Sequence, residues 1–244
     1  MNDLDTLLAE RCSIVVPDTS ILSQEEFALA RRVGLGASDI SVVLGLQSQW
    51  KTAGDIILNK LESGYTEEEQ MVSRKTNVRI GRELEPMVLD IASETVGPLI
   101  KPKPMYRPNE YPYLTINYDG VTSVGQIGIP VEAKVCTLYG DKYYNFKKAD
   151  NFEQRRQSTG CRIQEVCKEA AEQYGIPVYY YAQVQQQMLG TDAEWAWLAV
   201  LRLKDCKVYL FRIPASPYVQ NAIIIEGAKI WDQIERRRDN GTKS

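Results

Sequence analysis

The sequence predicts an α/β fold, and three observations carry that expectation. Apolar residues recur at helical spacing in several stretches, most clearly Ile80, Leu84, Val88, Leu89 and Ala92 within NVRIGRELEPMVLDIASETVG. Other stretches are short and apolar without that spacing, notably IGIPVEAKV, EWAWLAVLRL and KVYLFRIPA, and read as strands. At 244 residues and 44% hydrophobic, with no Pro-, Gly- or Ser-rich linker, the chain suits one domain with a sizeable core. That domain is expected to span 1–244, with 1–22 as a loosely held arm and 23–239 as the core.

Taken in order, a helix starts at Ser23, whose spacing to Glu26 makes a capping box, and runs through FALARRV to a stop at Gly34. GLGASDISVVLG follows, with Ser38 placed as the N-cap of a short apolar helix. A helix start with a hydroxyl and free backbone N–H groups can seat a phosphate, and Arg31 or Arg32 could clamp it; a plain cap with two surface arginines is the alternative. A third helix begins near Thr52 and stops at Gly64, and the acidic run Glu67 to Glu69 reads as surface. In the next helix Glu85 falls on or beside the apolar face directly before Pro86, so the helix is expected to begin, kink or widen there. A carboxylate at such a spot is costly to bury without a partner, and a metal would be one.

Leu99 to Tyr106 reads as a strand near an edge, interrupted by Pro102 and Pro104. Leu114 to Thr137 reads as two short strands around a Gly-containing turn, the first ending at Asp119 and the second carrying Glu132 and Lys134. Side chains two apart on a strand share a face. Glu132 and Lys134 therefore point together, Ala133 points into the opposite layer, and strand pairing brings Asp119 beside them. Grouped carboxylates repel unless a hard cation sits between them, and oxygen ligands suit Mg²⁺ or Mn²⁺. A lysine on the same face can orient or deprotonate a water, which outlines a phosphodiester-hydrolysis site; two solvated charges on an edge strand are the plain alternative.

The segment 138 to 160 is polar, aromatic and basic, with Tyr143, Tyr144 and Phe146 placed either to stack on bases or to anchor a loop to the core. A helix over 161–174 ends at Gly175, and the next, PVYYYAQVQQQMLGT, carries Gln183, Gln185, Gln186 and Gln187. Two strands joined by a turn at Lys204 to Cys206 precede a last helix, Pro217 to Arg238, with Ile223, Ile224, Ala228, Ile230, Trp231 and Ile234 turned inward.

Composition excludes several chemistries. The chain has no His, which removes His-based acid/base catalysis and triads and argues against a zinc hydrolase. Its five cysteines form no CxxC pair, so neither a disulfide framework nor an iron–sulfur or zinc site is indicated. No apolar run approaches the roughly 20 residues of a membrane span, and the N-terminus lacks a signal-peptide pattern, so a soluble cytoplasmic protein is expected. Net charge is −3, so any nucleic-acid surface must be local; Lys101, Lys103 and Arg107, then Lys142, Lys147, Lys148, Arg155 and Arg156, are the candidates.

The order Arg and Gly-x-Gly-Ala-Ser-Asp, Gly-Arg-Glu-Leu-Glu-Pro, Asp-Gly, Glu-Ala-Lys and Ala-Gln-Val-Gln resembles the YqaJ-type viral recombinase family, a lambda-exonuclease-like group within the PD-(D/E)XK nuclease superfamily, over roughly Arg31 to Leu203. The resemblance implies a restriction-endonuclease-like core, with a central mixed β-sheet flanked by helices. It implies that Asp119, Glu132, the Ala133 carbonyl and Glu85 hold two Mg²⁺ ions, with Mn²⁺ as a substitute, while Lys134 positions the attacking water. Arg31, or Arg32 in its place, and Ser38 would hold a 5′-phosphate, and Gln185 and Gln183 would face the scissile region. One departure is Asn117-Tyr118 before Asp119, where the family usually shows Ser-Pro or a similar pair. The activity implied is 5′-to-3′ degradation of one strand of linear double-stranded DNA, leaving 3′ overhangs for a single-strand annealing protein, by a homo-oligomer of the ring-trimer kind. An endonuclease of the same superfamily and a catalytically inactive DNA-end-binding protein are the alternatives.

Overall fold

The computed structural model describes residues 8, 10–47, 51–125, 127–149 and 162–241. Arg155, Arg156 and Cys161 lie outside the described residues.

The segment expected as a loose arm is docked from Cys12 onward, because strand β1 (Cys12–Val16) pairs antiparallel with a strand at Met105–Pro108. Ser23 closes the capping box, accepting from the Glu26 N–H at 3.2 Å while the Glu26 carboxylate accepts from the Ser23 N–H at 2.8 Å. The helix it opens, α1 (Gln24–Ala30), stops short of Gly34, since the backbone tightens into a 3-10 turn at Arg31–Val33. The turn separates the two arginines: Arg32 is buried and Arg31 is partly exposed.

Strand β2 (Leu35–Gly36) then leads into α2 (Ala37–Val43). Its N-cap is Gly36, whose N–H donates to the Asp39 carboxylate at 2.9 Å; Ser38 is the second helical residue and not the cap. Thr52 caps α3 (Ala53–Leu61) and Thr66 caps α4 (Glu67–Arg74). The acidic run is not merely surface, for Glu69 pairs with Arg32 at 2.9 Å and accepts from Asn59 at 3.0 Å. Helix α5 (Thr76–Val96) runs through Pro86 without ending, and Pro86 sits in its interior. Its buried face is Val88, Leu89 and Ala92, while Ile80 at the other end is 36% exposed, against expectation.

Pro102 and Pro104 break the strand expected over 99–106. What remains is a bridge from Ile100 to Val121, and then β3 (Met105–Pro108), the partner of β1. The hairpin is also shifted. β4 (Leu114–Thr115) pairs in parallel with β2, and Asp119 precedes rather than ends a strand, β5 (Gly120–Val124), which turns at Gly125 into β6 (Ile127–Cys136). Gly125 has φ +62°, a left-handed conformation that glycine adopts without steric cost.

Helices α6 (Ile163–Tyr174) and α7 (Val178–Thr191), strands β7 (Trp195–Arg202) and β8 (Lys207–Pro214), and α8 (Pro217–Gly241) complete the chain. The central sheet has the order β5-β6-β7-β8 and is mixed, since β6 and β7 run parallel and the outer pairs antiparallel. Its strands alternate between two layers as the pleat requires. Val131, Ala133, Ala199 and Leu201 pack on Val88, Leu89 and Ala92 of α5; Leu198 and Val200 join Ala182, Val184 and Met188 of α7 in the larger core. Of the inward residues expected in α8, Ile223, Ile230 and Ile234 are buried, whereas Ala228 is exposed and Gly227 takes the inner position against Tyr113.

Candidate active site

Strand β6 supplies two of the charged groups by simple alternation. Glu132 and Lys134 share the face toward α7, and Glu132 is 1% exposed. Pairing of Gly120 with Val131 means that one further step of the register lays Asp119 beside Glu132. The Asp119 carboxylate accepts from the Ala133 N–H at 2.9 Å, and the Lys134 ammonium lies 3.9 Å from the same oxygen. That ammonium also donates to Glu132 and, at 3.0 Å, to the Ala133 carbonyl. Glu85, on α5, is close enough to interact electrostatically with Asp119, Glu132 and Lys134.

Asp119 and Glu132 thus flank one ammonium in a largely dry setting, with Glu85 within electrostatic reach. Burial, then Glu132 and Glu85, push the Asp119 carboxyl well above the usual carboxylate range, although Lys134 and the Ala133 N–H oppose this. Burial likewise raises Glu85, with Glu132 adding to it and Lys134 and Arg82 opposing. For Lys134 burial works against the charge, but Glu132 and Asp119 outweigh it and hold its pKa above the ordinary lysine value. As placed here, no three His, Cys, Asp or Glu side chains among the described residues stand together closely enough to ligate one ion. The donor set nevertheless suits a hard cation: it is all oxygen, it includes the Ala133 carbonyl, and its negative charge exceeds the one ammonium beside it.

Helix α7 supports this strand through its glutamines, in a phase different from the one expected. Gln183 donates to one oxygen of Glu132, and Gln187, four residues on and therefore on the same face, donates to the other at 2.5 Å. Gln185, expected to face the scissile region, does not: it is fully buried, donates to the Pro214 carbonyl at 2.9 Å and accepts from the Ser216 N–H at 2.8 Å. Gln186 donates at 3.0 Å to the carbonyls of both Leu35 and Thr115, which fixes the β2–β4 pair. Tyr118, the departure noted before Asp119, is buried, and its hydroxyl donates to the Gln187 carbonyl at 3.2 Å. Gln187 therefore touches both carboxylate-bearing segments.

A second charged group lies just past α1. Arg31 donates to the Ser38 hydroxyl and stands 3.9 Å from Asp39. Lys60 pairs with Asp39 at 2.8 Å and donates to the Arg31 carbonyl at 2.7 Å. Burial disfavours the Asp39 charge, yet Lys60 and Arg31 hold its pKa below the ordinary aspartate value. The Arg31 side chain is 38% exposed and that of Lys60 only 2%. Arg31 is thus the member a ligand can reach. Arg32 cannot share the role, because its guanidinium is tied to Glu69 and, at 2.7 Å, to the Glu62 carbonyl. Lys60 carried no signal in the sequence.

Several basic candidates are occupied elsewhere. Lys101 pairs with Asp90 at 2.6 Å, Lys103 with Asp18 at 3.2 Å, and Arg107 donates to the Val33 carbonyl at 2.9 Å. Tyr144 and Phe146 pack with each other and with Phe211, so they anchor their loop to the core; Tyr143 is 56% exposed. Among the described residues no helix is long and apolar enough to cross a membrane.

A family model described as the YqaJ-like viral recombinase domain matches residues 26–194. The Uncharacterized protein YqaJ of Bacillus subtilis (strain 168) is 28% identical over 188 residues, which are 77% of this chain and 49% of that protein. The chain thus spans about half the length of that curated relative. LHK-Exo in complex with dAMP superposes with a TM-score of 0.58 at 17% identity, over 89% of this chain and 98% of that one. A second structure of LHK-Exo, an alkaline exonuclease from Laribacter hongkongensis, gives 0.57 at 17% identity over 88% and 97%. The shared architecture is the restriction-endonuclease-like fold.

Proposed function

The chain belongs to the YqaJ-like viral recombinase family, and on that premise we propose that it is a metal-dependent nuclease degrading one strand of linear duplex DNA from a 5′-phosphorylated end. The observation that carries the reading is the juxtaposition of Asp119, Glu132 and Lys134 on adjoining segments, with both Glu132 oxygens held by Gln183 and Gln187. Asp119, Glu132, Glu85 and the Ala133 carbonyl are the groups that would hold Mg²⁺ or Mn²⁺. Two such ions would supply neutralisation of the phosphodiester and of the departing 3′-oxygen, and an acidified water. Lys134, whose ammonium reaches Glu132 and the Ala133 carbonyl, would position that water. Gln183 and Gln187 fix Glu132 without adding charge.

The Arg31 group supports the choice of a phosphorylated end. A terminal phosphate can take the Arg31 guanidinium while Lys60 keeps Asp39 neutralised, so the cluster binds an anion without stranding a buried carboxylate. Such a seat registers the cut from a 5′ end and favours an exonuclease. The product, duplex DNA with a 3′ overhang, is a substrate for a single-strand annealing protein, and a ring trimer is the assembly the family resemblance suggests.

The test is digestion of linear duplex DNA in Mg²⁺ and in EDTA, beside closed circular DNA and the Lys134→Ala variant. Mononucleotide release from linear ends alone, dependent on metal and lost in the variant, supports the reading. Cleavage of the circle would replace it with an endonuclease, and binding of ends without cleavage would leave an end-binding protein.

A further inference from the structure

The lysines and arginine that the sequence offered as a basic surface at 101–107 are held by Asp90, Asp18 and the Val33 carbonyl. Three other arginines stand differently. Arg74, Arg79 and Arg82 line an open cavity of about 600 Å³ between α1, α4 and α5. Among the described residues, none of the three is ion-paired with a carboxylate. All three are exposed in a protein whose net charge is −3, so they are free to meet a ligand.

The cavity reaches the carboxylate group through Arg82. Arg82 is one helical turn before Glu85 on α5 and close enough to lower its pKa, so the two side chains share a face. Gln24, also in the lining, begins α1, and Arg31 follows that helix, about 10 Å along its axis. Gln24 and Gln70 add neutral amide donors. Two carboxylates also line the cavity, Glu25 and Glu83; Glu25 lies in the first turn of α1, where the peptide dipoles favour it. The lining keeps a positive balance, in planar guanidinium groups whose forked donors match phosphate oxygens.

We propose that this cavity binds the sugar-phosphate backbone of a DNA strand, with Arg74, Arg79 and Arg82 each contacting a phosphate, and so guides the strand past Glu85. The inference rests on the nuclease reading above. It concerns backbone contacts, which fix position without reading sequence.

Binding of a duplex with a single-stranded extension, measured by fluorescence anisotropy in EDTA across a range of salt, tests it. Each phosphate contact contributes about 0.7–0.9 to the slope of log affinity against log salt. The triple variant Arg74→Gln, Arg79→Gln, Arg82→Gln is expected to lose about 2 from that slope, and the triple Arg→Lys variant to retain it. Should the triple Gln variant fail to fold, each single variant is expected to lose about 0.7–0.9. Slopes equal to wild type in folded Gln variants overturn the proposal while wild-type cleavage keeps the nuclease reading. Wild-type protein that neither binds nor cleaves DNA sinks both.

Discussion

The two charged groups of this protein are built in opposite ways. At the end of β6, Asp119, Glu132 and Glu85 face one ammonium, and the Asp119 and Glu85 carboxyls are pushed upward. Beyond α1, Lys60 and Arg31 face one carboxylate, and Asp39 is held below its ordinary value. The first group is left wanting positive charge, and the second has a cation to spare at its exposed edge. An arrangement that stays electrostatically unfavourable in a packed core points to something bound there. A satisfied arrangement with one reachable cation points to an anion seat.

The contrast can be broken at either group. Lys134→Ala should lower turnover of linear duplex DNA by about 10²–10⁴-fold, measured as acid-soluble nucleotide, while DNA affinity in EDTA stays close to wild type. Arg31→Ala should cost about 10–100-fold on 5′-phosphorylated ends, the worth of one charge-assisted hydrogen bond, and little on 5′-hydroxyl ends. Arg32→Ala should lower thermal stability and leave that preference intact, because it strands Glu69 and the Glu62 carbonyl. Gln187→Met should raise the Mg²⁺ concentration for half-maximal activity about tenfold, the usual effect of losing a group that orients a ligand. Gln185→Met should leave it unchanged and reduce only stability.

The two groups should also differ, by a smaller margin, in their response to pH. A carboxyl whose pKa is raised by folding binds its proton more tightly in the folded protein. Its contribution to stability is present below the ordinary aspartate range and is lost as pH rises through the folded value. In EDTA the wild type should therefore lose stability above the ordinary carboxylate range, and Asp119→Asn should lose less, read as a smaller fall in melting temperature by calorimetry. Asp39, shifted the other way, should give Asp39→Asn no such gain.

Much of the candidate site was legible because strand alternation is rigid. Period two put Glu132 and Lys134 together and Ala133 behind them, and only the placement of Asp119 before β5 needed the register. Helix phase was harder to read, since three consecutive glutamines offer an amide on nearly every side; only packing shows that 183 and 187 face Glu132 while 185 and 186 hold backbone. The capping box at Ser23 is local and was readable. The 3-10 turn that separates Arg31 from Arg32 is set by tertiary contacts with Glu62, Glu69 and Lys60, which sequence spacing does not reveal. The same holds for Ser38, displaced from the cap because Gly36 and Asp39 close that end.

Whether the Asp119 group is a cation site is decided by calorimetric titration of Mn²⁺ into DNA-free wild-type protein and Asp119→Asn. Wild type should bind saturably, and the variant about tenfold or more weakly. Absence of binding by wild type, or equal binding by both, would contradict a cation site there.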